Sequence, residues 1–117
     1  CATGDARITT GGRLRARHVI HTVGPVYRDG GPREADLLAS AYRRSLEVAS
    51  TNGVRSLAFP SISTGAYRYP IREAAGIALT TVSAYLRDHA EIALVRFVLF
   101  SDSDLAVYEA VLGQRPR

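Results

Sequence analysis

The sequence predicts an α/β fold, a sheet flanked by helices, on three observations. Short runs rich in β-branched residues alternate with longer segments of helical spacing, and Gly, Pro, Asn or Ser clusters punctuate them. The most apolar run, Ile92–Phe100, is too short for a separate core helix and reads as a central strand buried on both faces. In such sheets ligands sit beyond the carboxyl ends of the strands, so function is to be sought in the loops that follow them.

Ala6–Thr9 alternates briefly and suits an edge strand, which Thr10, Gly11 and Gly12 end as a turn. Arg17–Val23 carries Val19, Ile20 and Val23 and predicts a buried strand closed by Gly24 and Pro25. His18 and His21 lie three apart, which on a strand puts them on opposite faces, a poor arrangement for a shared metal and a good one for separately satisfied histidines. Tyr27–Pro32 is a polar turn with two glycines. Glu34–Asn52 has helical spacing: Leu38, Tyr42, Ser45, Leu46 and Ala49 share one side, with Arg43, Arg44 and Glu47 on the other. Asn52-Gly53 ends that helix with the pair best suited to left-handed backbone angles.

Val54–Phe59 then forms a short strand stopped by Pro60, which cannot donate to a sheet ladder. In the loop that follows, Ser61, Ser63, Thr64 and Gly65 allow a tight turn that points successive amides into one concavity, and Pro70 suits the first turn of a helix. Strand, amide-lined loop and helix N-terminus together suit a phosphate; the same small residues also serve merely to turn a corner. Tyr67 and Tyr69 stand in a loop that otherwise needs only small side chains. An exposed ring there can cover a sugar or base, and a tyrosine packed back on its own loop is the competing reading for Tyr69.

Ile71, Ala74, Ala75, Ala78, Val82, Tyr85 and Leu86 draw one apolar stripe of helical period. Its alanines suit close approach to a sheet, and close packing would offset the cost of about 1 kcal/mol that Gly76 brings inside a helix. After Ile92–Phe100, Ser101-Asp102-Ser103-Asp104 offers capping side chains, and Leu105, Tyr108, Val111 and Leu112 predict a last amphipathic helix before Gly113. The tail Gln114–Arg117 is expected to fray.

Composition narrows the function classes. At 117 residues the chain is one domain, 46% hydrophobic and 22% charged, which disfavours disorder. Its net charge of +4 and pI near 9.7 favour anionic ligands without requiring nucleic acid. The 15 basic residues are all arginine, scattered rather than blocked. One cysteine, Cys1, excludes an internal disulfide framework and fits a reducing compartment. The chain shows no signal-peptide pattern and no apolar run near the ~20 residues that span a bilayer, so a cytoplasmic protein is expected.

Three separated stretches, Cys1–Thr9 (CATGDARIT), Arg17–Pro25 (RHVIHTVGP) and Leu57–Pro70 (LAFPSISTGAYRYP), closely resemble the macro domain family, in particular the branch that hydrolyses O-acetyl-ADP-ribose and ADP-ribosyl esters. The resemblance covers nearly the whole chain and implies a three-layer α/β/α domain with a mixed, largely parallel sheet, of which residues 1–117 are the C-terminal portion. Family members begin with a further segment, on the order of a third of the domain, holding a glycine-rich loop and the residues tied to catalysis; the catalytic groups are therefore expected upstream of Cys1. By the same resemblance Ser63, Thr64, Gly65, Ala66 and Tyr67 form the second phosphate loop, with the aromatic beside the ribose farther from adenine. Phe100 and Ser101 stand on the adenine side, although Phe100 also reads as a core residue at a strand end. Arg68 departs from the glycine common at that position.

The resemblance implies ADP-ribose or O-acetyl-ADP-ribose as ligand, ADP-ribosylated proteins as potential partners, and no metal or redox cofactor. It implies ester hydrolysis by a positioned water in the complete protein. No acid–base pair is recognisable among these residues, so the 117-residue chain alone is expected to bind weakly and hydrolyse nothing. A reader module that binds ADP-ribose without turnover shares the same loop, and an RNA-binding protein is a third reading that rests on charge alone. A sheet lacking its first strands would also expose an edge open to pairing with another copy.

Overall fold

The computed structural model describes residues 1–11 and 18–113 in seven elements. In chain order they are β1 (Ala6–Thr10), β2 (His18–Thr22), α1 (Pro32–Thr51), β3 (Ser56–Phe59), α2 (Ile71–Asp88), β4 (Leu94–Phe97) and α3 (Asp102–Gly113). The expectations for Gly12, Arg17 and the tail Gln114–Arg117 lie outside the described residues.

The strands form two separate two-stranded sheets. β1 and β2 are antiparallel, with Ala6 opposite Thr22 and Thr10 opposite His18. β3 and β4 are parallel, with Ser56 opposite Leu94 and Phe59 opposite Phe97. The α/β class predicted from the sequence is the class observed.

The polar turn before α1 is built around one carboxylate. Gly31 is the N-cap and Pro32 takes the first helical position, where its missing N–H costs nothing. Glu34, two residues on, is buried and turns back to accept from the Arg28 amide at 3.0 and 3.1 Å and from the Gly30 amide at 2.9 Å. At the other end Gly53 adopts φ 71°; its amide donates to Ser50 and that of Val54 to Ala49, which pairs the last carbonyls and turns the chain straight into β3. Between these ends Leu38, Ala41, Tyr42, Leu46 and Ala49 are fully buried. Each leucine contributes about 1.5–3 kcal/mol by leaving water.

Two expectations for α2 are corrected. Its alanines, Ala74, Ala75 and Ala78, are buried as the stripe predicts, but α2 packs chiefly between α1 and α3 rather than against a sheet. Small side chains let the helices close on one another there. A side chain built on Gly76 would meet nothing within 4 Å, so close packing does not compensate this glycine.

Ile92–Phe100 also differs from expectation. Only Leu94–Phe97 is strand, among the described residues it has β3 as its one partner, and Leu94 and Arg96 are exposed while Val95 and Phe97 turn inward. The reason is the sheet itself: with a single neighbour β4 is not central, and the described helices cover only the face that carries Leu57, Phe59, Val95 and Phe97. There Phe59, Phe97, Tyr42 and Tyr108 form an aromatic cluster with ring centroids 5.1–6.1 Å apart. Among the described residues no helix is long and apolar enough to cross a membrane.

Candidate functional site

β3 and β4 are adjacent and parallel, so their carboxyl ends share one end of the molecule. The loop Ser61–Tyr69 leaves there from β3, and Phe100 and Ser101 follow β4. The first loop is held from beneath by two phenols. The buried Tyr42 hydroxyl accepts from the Ile62 amide at 3.0 Å and donates to the Pro60 carbonyl at 3.4 Å. Tyr108 pairs its hydroxyl with Ser61 Oγ at 2.7 Å. Burial raises the pKa of both phenols, so both stay protonated and able to donate.

Above those anchors the loop turns sharply. Thr64 Oγ1 donates to the Ser61 carbonyl at 3.0 Å, the Arg68 amide to Gly65 at 3.0 Å, and the Tyr69 amide to Ser63 at 2.9 Å. Two non-glycine residues, Ser63 (φ 68°) and Arg68 (φ 64°), take left-handed backbone angles, an uncommon conformation that the surrounding contacts must hold. Arg68 thus stands where a glycine would be at ease, in keeping with the departure noted in the sequence. Among the described residues nothing accepts from the amides of Gly65, Ala66 and Tyr67, three successive donors on an exposed bend.

Tyr67 and Tyr69 separate cleanly. Tyr69 is buried edge-to-face on Tyr27 at 5.1 Å, and burial raises its phenol pKa, which settles it as a packing residue. Tyr67 is 41% exposed, and its carbonyl accepts from the Tyr27 amide at 2.9 Å, so its backbone is pinned while its ring stays available.

The loop after β2 meets this loop directly. A Cβ on Gly24 would collide with Ser63 Oγ and Ile62 Cγ2, so only glycine lets the two approach this closely. Ser63 Oγ is buried beside it without a hydrogen-bond partner among the described residues. These residues close one end of a groove of about 730 Å³ that runs the length of β2 and β3 and holds Ser63 and Tyr67 in its lining. Thr64, Gly65 and Ala66 stand outside that lining on the exposed bend.

Phe100 and Ser101 are not part of the groove. Phe100 is 99% exposed, which removes its reading as a core residue, and Ser101 Oγ accepts from the Asp104 amide at 3.2 Å as a cap of α3. His21 Nε2 lies 3.0 Å from Thr9 Oγ1, a locally satisfied histidine. Sequence reasoning missed Tyr42 and Tyr108 as supports of the loop. Their signal was present, since a phenol in a buried helical stripe must find a partner for its hydroxyl.

The Macro domain family model matches residues 1–78. A macro domain-containing protein of Chlorobaculum tepidum is 55% identical over 113 residues, which is 97% of this chain and 66% of that protein. An O-acetyl-ADP-ribose deacetylase of Cronobacter sakazakii is 49% identical over 97% of this chain and 63% of its own length. Among solved structures, the Oceanobacillus iheyensis macrodomain with ADP superposes with a TM-score of 0.91 at 44% identity, over 96% of this chain and 58% of that one. The Trypanosoma brucei macrodomain in complex with ADP-ribose gives 0.88 at 39% identity, over 97% and 47%. The chain therefore spans about three-fifths to two-thirds of the length of the curated relatives it matches, and over that span its fold and sequence agree with theirs: it belongs to the macro domain family.

Proposed function

We propose that this chain supplies the diphosphate and distal-ribose half of an ADP-ribose site. The observation that carries the reading is the bend Gly65–Tyr67, whose three unengaged amides sit on rigid phenol anchors just before α2. Amides held in advance toward an anion need little reorganisation when it arrives. Ser63 and Thr64 shape the turn, the Tyr67 ring lies beside the ribose farther from adenine, and Phe100 and Ser101 stand on the adenine side.

In the complete protein the reaction we propose is hydrolysis of O-acetyl-ADP-ribose or of ADP-ribosyl esters on proteins, in line with the name of the Cronobacter relative. A water positioned against the ester carbonyl attacks it, the acyl–oxygen bond to the ribose breaks, and the diphosphate and Tyr67 hold the sugar in place. Among the described residues the groove offers His18, His21 and the Tyr67 phenol as titratable side chains, and no carboxylate. The acid–base step is accordingly assigned to groups outside this chain. Binding without turnover, as in a reader of ADP-ribosylated proteins, is the activity these residues support by themselves.

Magnitudes set the test. Three charge-assisted amide contacts contribute at most about 1.5–3 kcal/mol each, and immobilising the ligand costs about 4 kcal/mol or more. The favourable end of that balance, about 4–5 kcal/mol, corresponds to a Kd of roughly 0.2–1 mM. Titrating ADP-ribose into the 117-residue chain while following backbone amides by NMR should move Gly65, Ala66 and Tyr67 in that range, with ADP acting similarly and adenosine not at all. No shift at ten times that concentration overturns the ligand assignment. Submicromolar binding overturns the half-site assignment instead.

A further inference from the structure

The turn Tyr27–Gly31 lies between β2 and α1, and two of its amides converge on one buried side chain. Glu34 Oε1 accepts from the Arg28 amide at 3.1 Å and from the Gly30 amide at 2.9 Å, and Oε2 accepts from Arg28 again at 3.0 Å. Both amides precede the helix. α1 closes its own start without them: the Glu34 and Ala35 amides donate to the Gly31 carbonyl at 3.2 and 3.3 Å, and the N-cap takes no side-chain bond. The Glu34 carboxylate therefore shapes the turn in front of the helix rather than the helix end itself.

From the turn the constraint passes to the ligand loop through Tyr27. The Arg28 N–H and the Tyr27 carbonyl belong to one planar peptide, so the bonds to Glu34 set the plane that leaves Tyr27. Gly30, at φ 70°, folds back so closely that a Cβ there would stand 2.6 Å from the Tyr27 hydroxyl, and the turn thus confines the ring as well. Tyr27 in turn engages the loop twice. Its amide donates to the Tyr67 carbonyl at 2.9 Å, and its ring meets Tyr69 edge-to-face at 5.1 Å. The Tyr67–Arg68 peptide is thereby bonded at both ends, its carbonyl to Tyr27 and its N–H to the Gly65 carbonyl at 3.0 Å. Those two bonds fix the bend that carries the Gly65, Ala66 and Tyr67 amides and hold Arg68 at its left-handed φ of 64°.

We propose that Glu34 is a positioning residue for the ligand loop: by fixing the Tyr27–Gly31 turn it lets Tyr27 hold the Gly65–Tyr67 amides and the Tyr67 ring at the spacing an anion and its sugar require. That the occupant is ADP-ribose rests on the function proposed above; the mechanical link does not. Glu34 does not line the groove and acts only through Tyr27. The loop then has two independent supports. The Tyr42 and Tyr108 hydroxyls hold Pro60–Ile62 ahead of the bend, and Tyr27 holds Tyr67 and Tyr69 after it.

Two roles for a glutamate here make opposite predictions. A carboxylate that merely complements the positive end of α1 needs its charge and not its length, so aspartate would serve and glutamine would not. A carboxylate that holds the turn needs its reach and an accepting oxygen. Aspartate falls short by one carbon–carbon bond, about 1.5 Å, which takes both amides out of hydrogen-bond range. Glutamine keeps Oε1, the oxygen that serves both amides.

The test compares Glu34→Asp and Glu34→Gln with the parent chain by NMR. Without ligand, the Tyr27, Arg68 and Tyr69 amides should exchange at least tenfold faster in Glu34→Asp and within threefold of the parent in Glu34→Gln. The Tyr42 and Leu46 amides of α1 report global opening in the same spectra. ADP-ribose should then bind Glu34→Asp at least fivefold more weakly and Glu34→Gln within twofold of the parent. The reverse order of the two variants, loop rates that change no more than those of Tyr42 and Leu46, or a loosened loop that binds ADP-ribose as tightly as the parent overturns the proposal. If the parent itself fails to bind ADP-ribose, the ligand reading falls, and the exchange rates alone decide the role of Glu34.

Discussion

Tyr42 joins the core to the loop through one oxygen. Its ring packs edge-to-face on Phe59 and tilted on Phe97, while its hydroxyl accepts from Ile62 and donates to Pro60. Replacing it by phenylalanine keeps the ring and leaves a buried amide without a partner, a loss of about 1–3 kcal/mol. The Tyr42→Phe chain should therefore unfold at lower denaturant by that amount, with an unchanged slope, and its Gly65–Tyr67 amides should exchange faster. Equal stability would show that the hydroxyl does not support the loop. At this scale the sequence was legible wherever the residue type dictated a local conformation. Pro60, Ser63, Gly65 and Pro70 marked strand, bend and helix start because each restricts or frees the backbone by itself. The role of Tyr42 was not legible, because it depends on a loop 18 and 20 residues farther along arriving within reach of the phenol.

Elements obey the same division. Helices α1 and α2 were readable to within about two residues from periodicity and terminal signals, since a helix closes its hydrogen bonds within itself. Strands were less so: β4 reads as central by composition, but centrality belongs to its neighbours. Gly53 and Gly76 make the local rule measurable, because neither would place a new Cβ against anything within 4 Å. Gly76 lies inside α2, so Gly76→Ala should stabilise the chain by about 1 kcal/mol through helix propensity. Gly53 sits just past α1 at φ 71°, so Gly53→Ala should destabilise it by about 1–2 kcal/mol through left-handed backbone strain alone. Thermal melts of the two variants should shift in opposite directions, by several degrees each. Shifts of the same sign would mean that backbone conformation does not govern these two sites.

At the scale of the whole molecule, what remains is the face that the described helices leave bare. Leu94 is 43% exposed and Val98 64%, next to Phe100 at 99%, while Arg96 on the same face keeps it from being wholly apolar. Apolar side chains in this number on one sheet face are either an interface or an aggregation liability. The two cases separate by experiment. Leu94→Lys with Val98→Lys removes little buried area, so the unfolding free energy of the 117-residue chain should change by less than about 1 kcal/mol. Light scattering at high concentration should fall as the added charges keep copies apart. A large loss of stability would show instead that the face is already packed. Stability of the described fold thus rests on the side that three helices and an aromatic cluster close, and the bare sheet face contributes little to it.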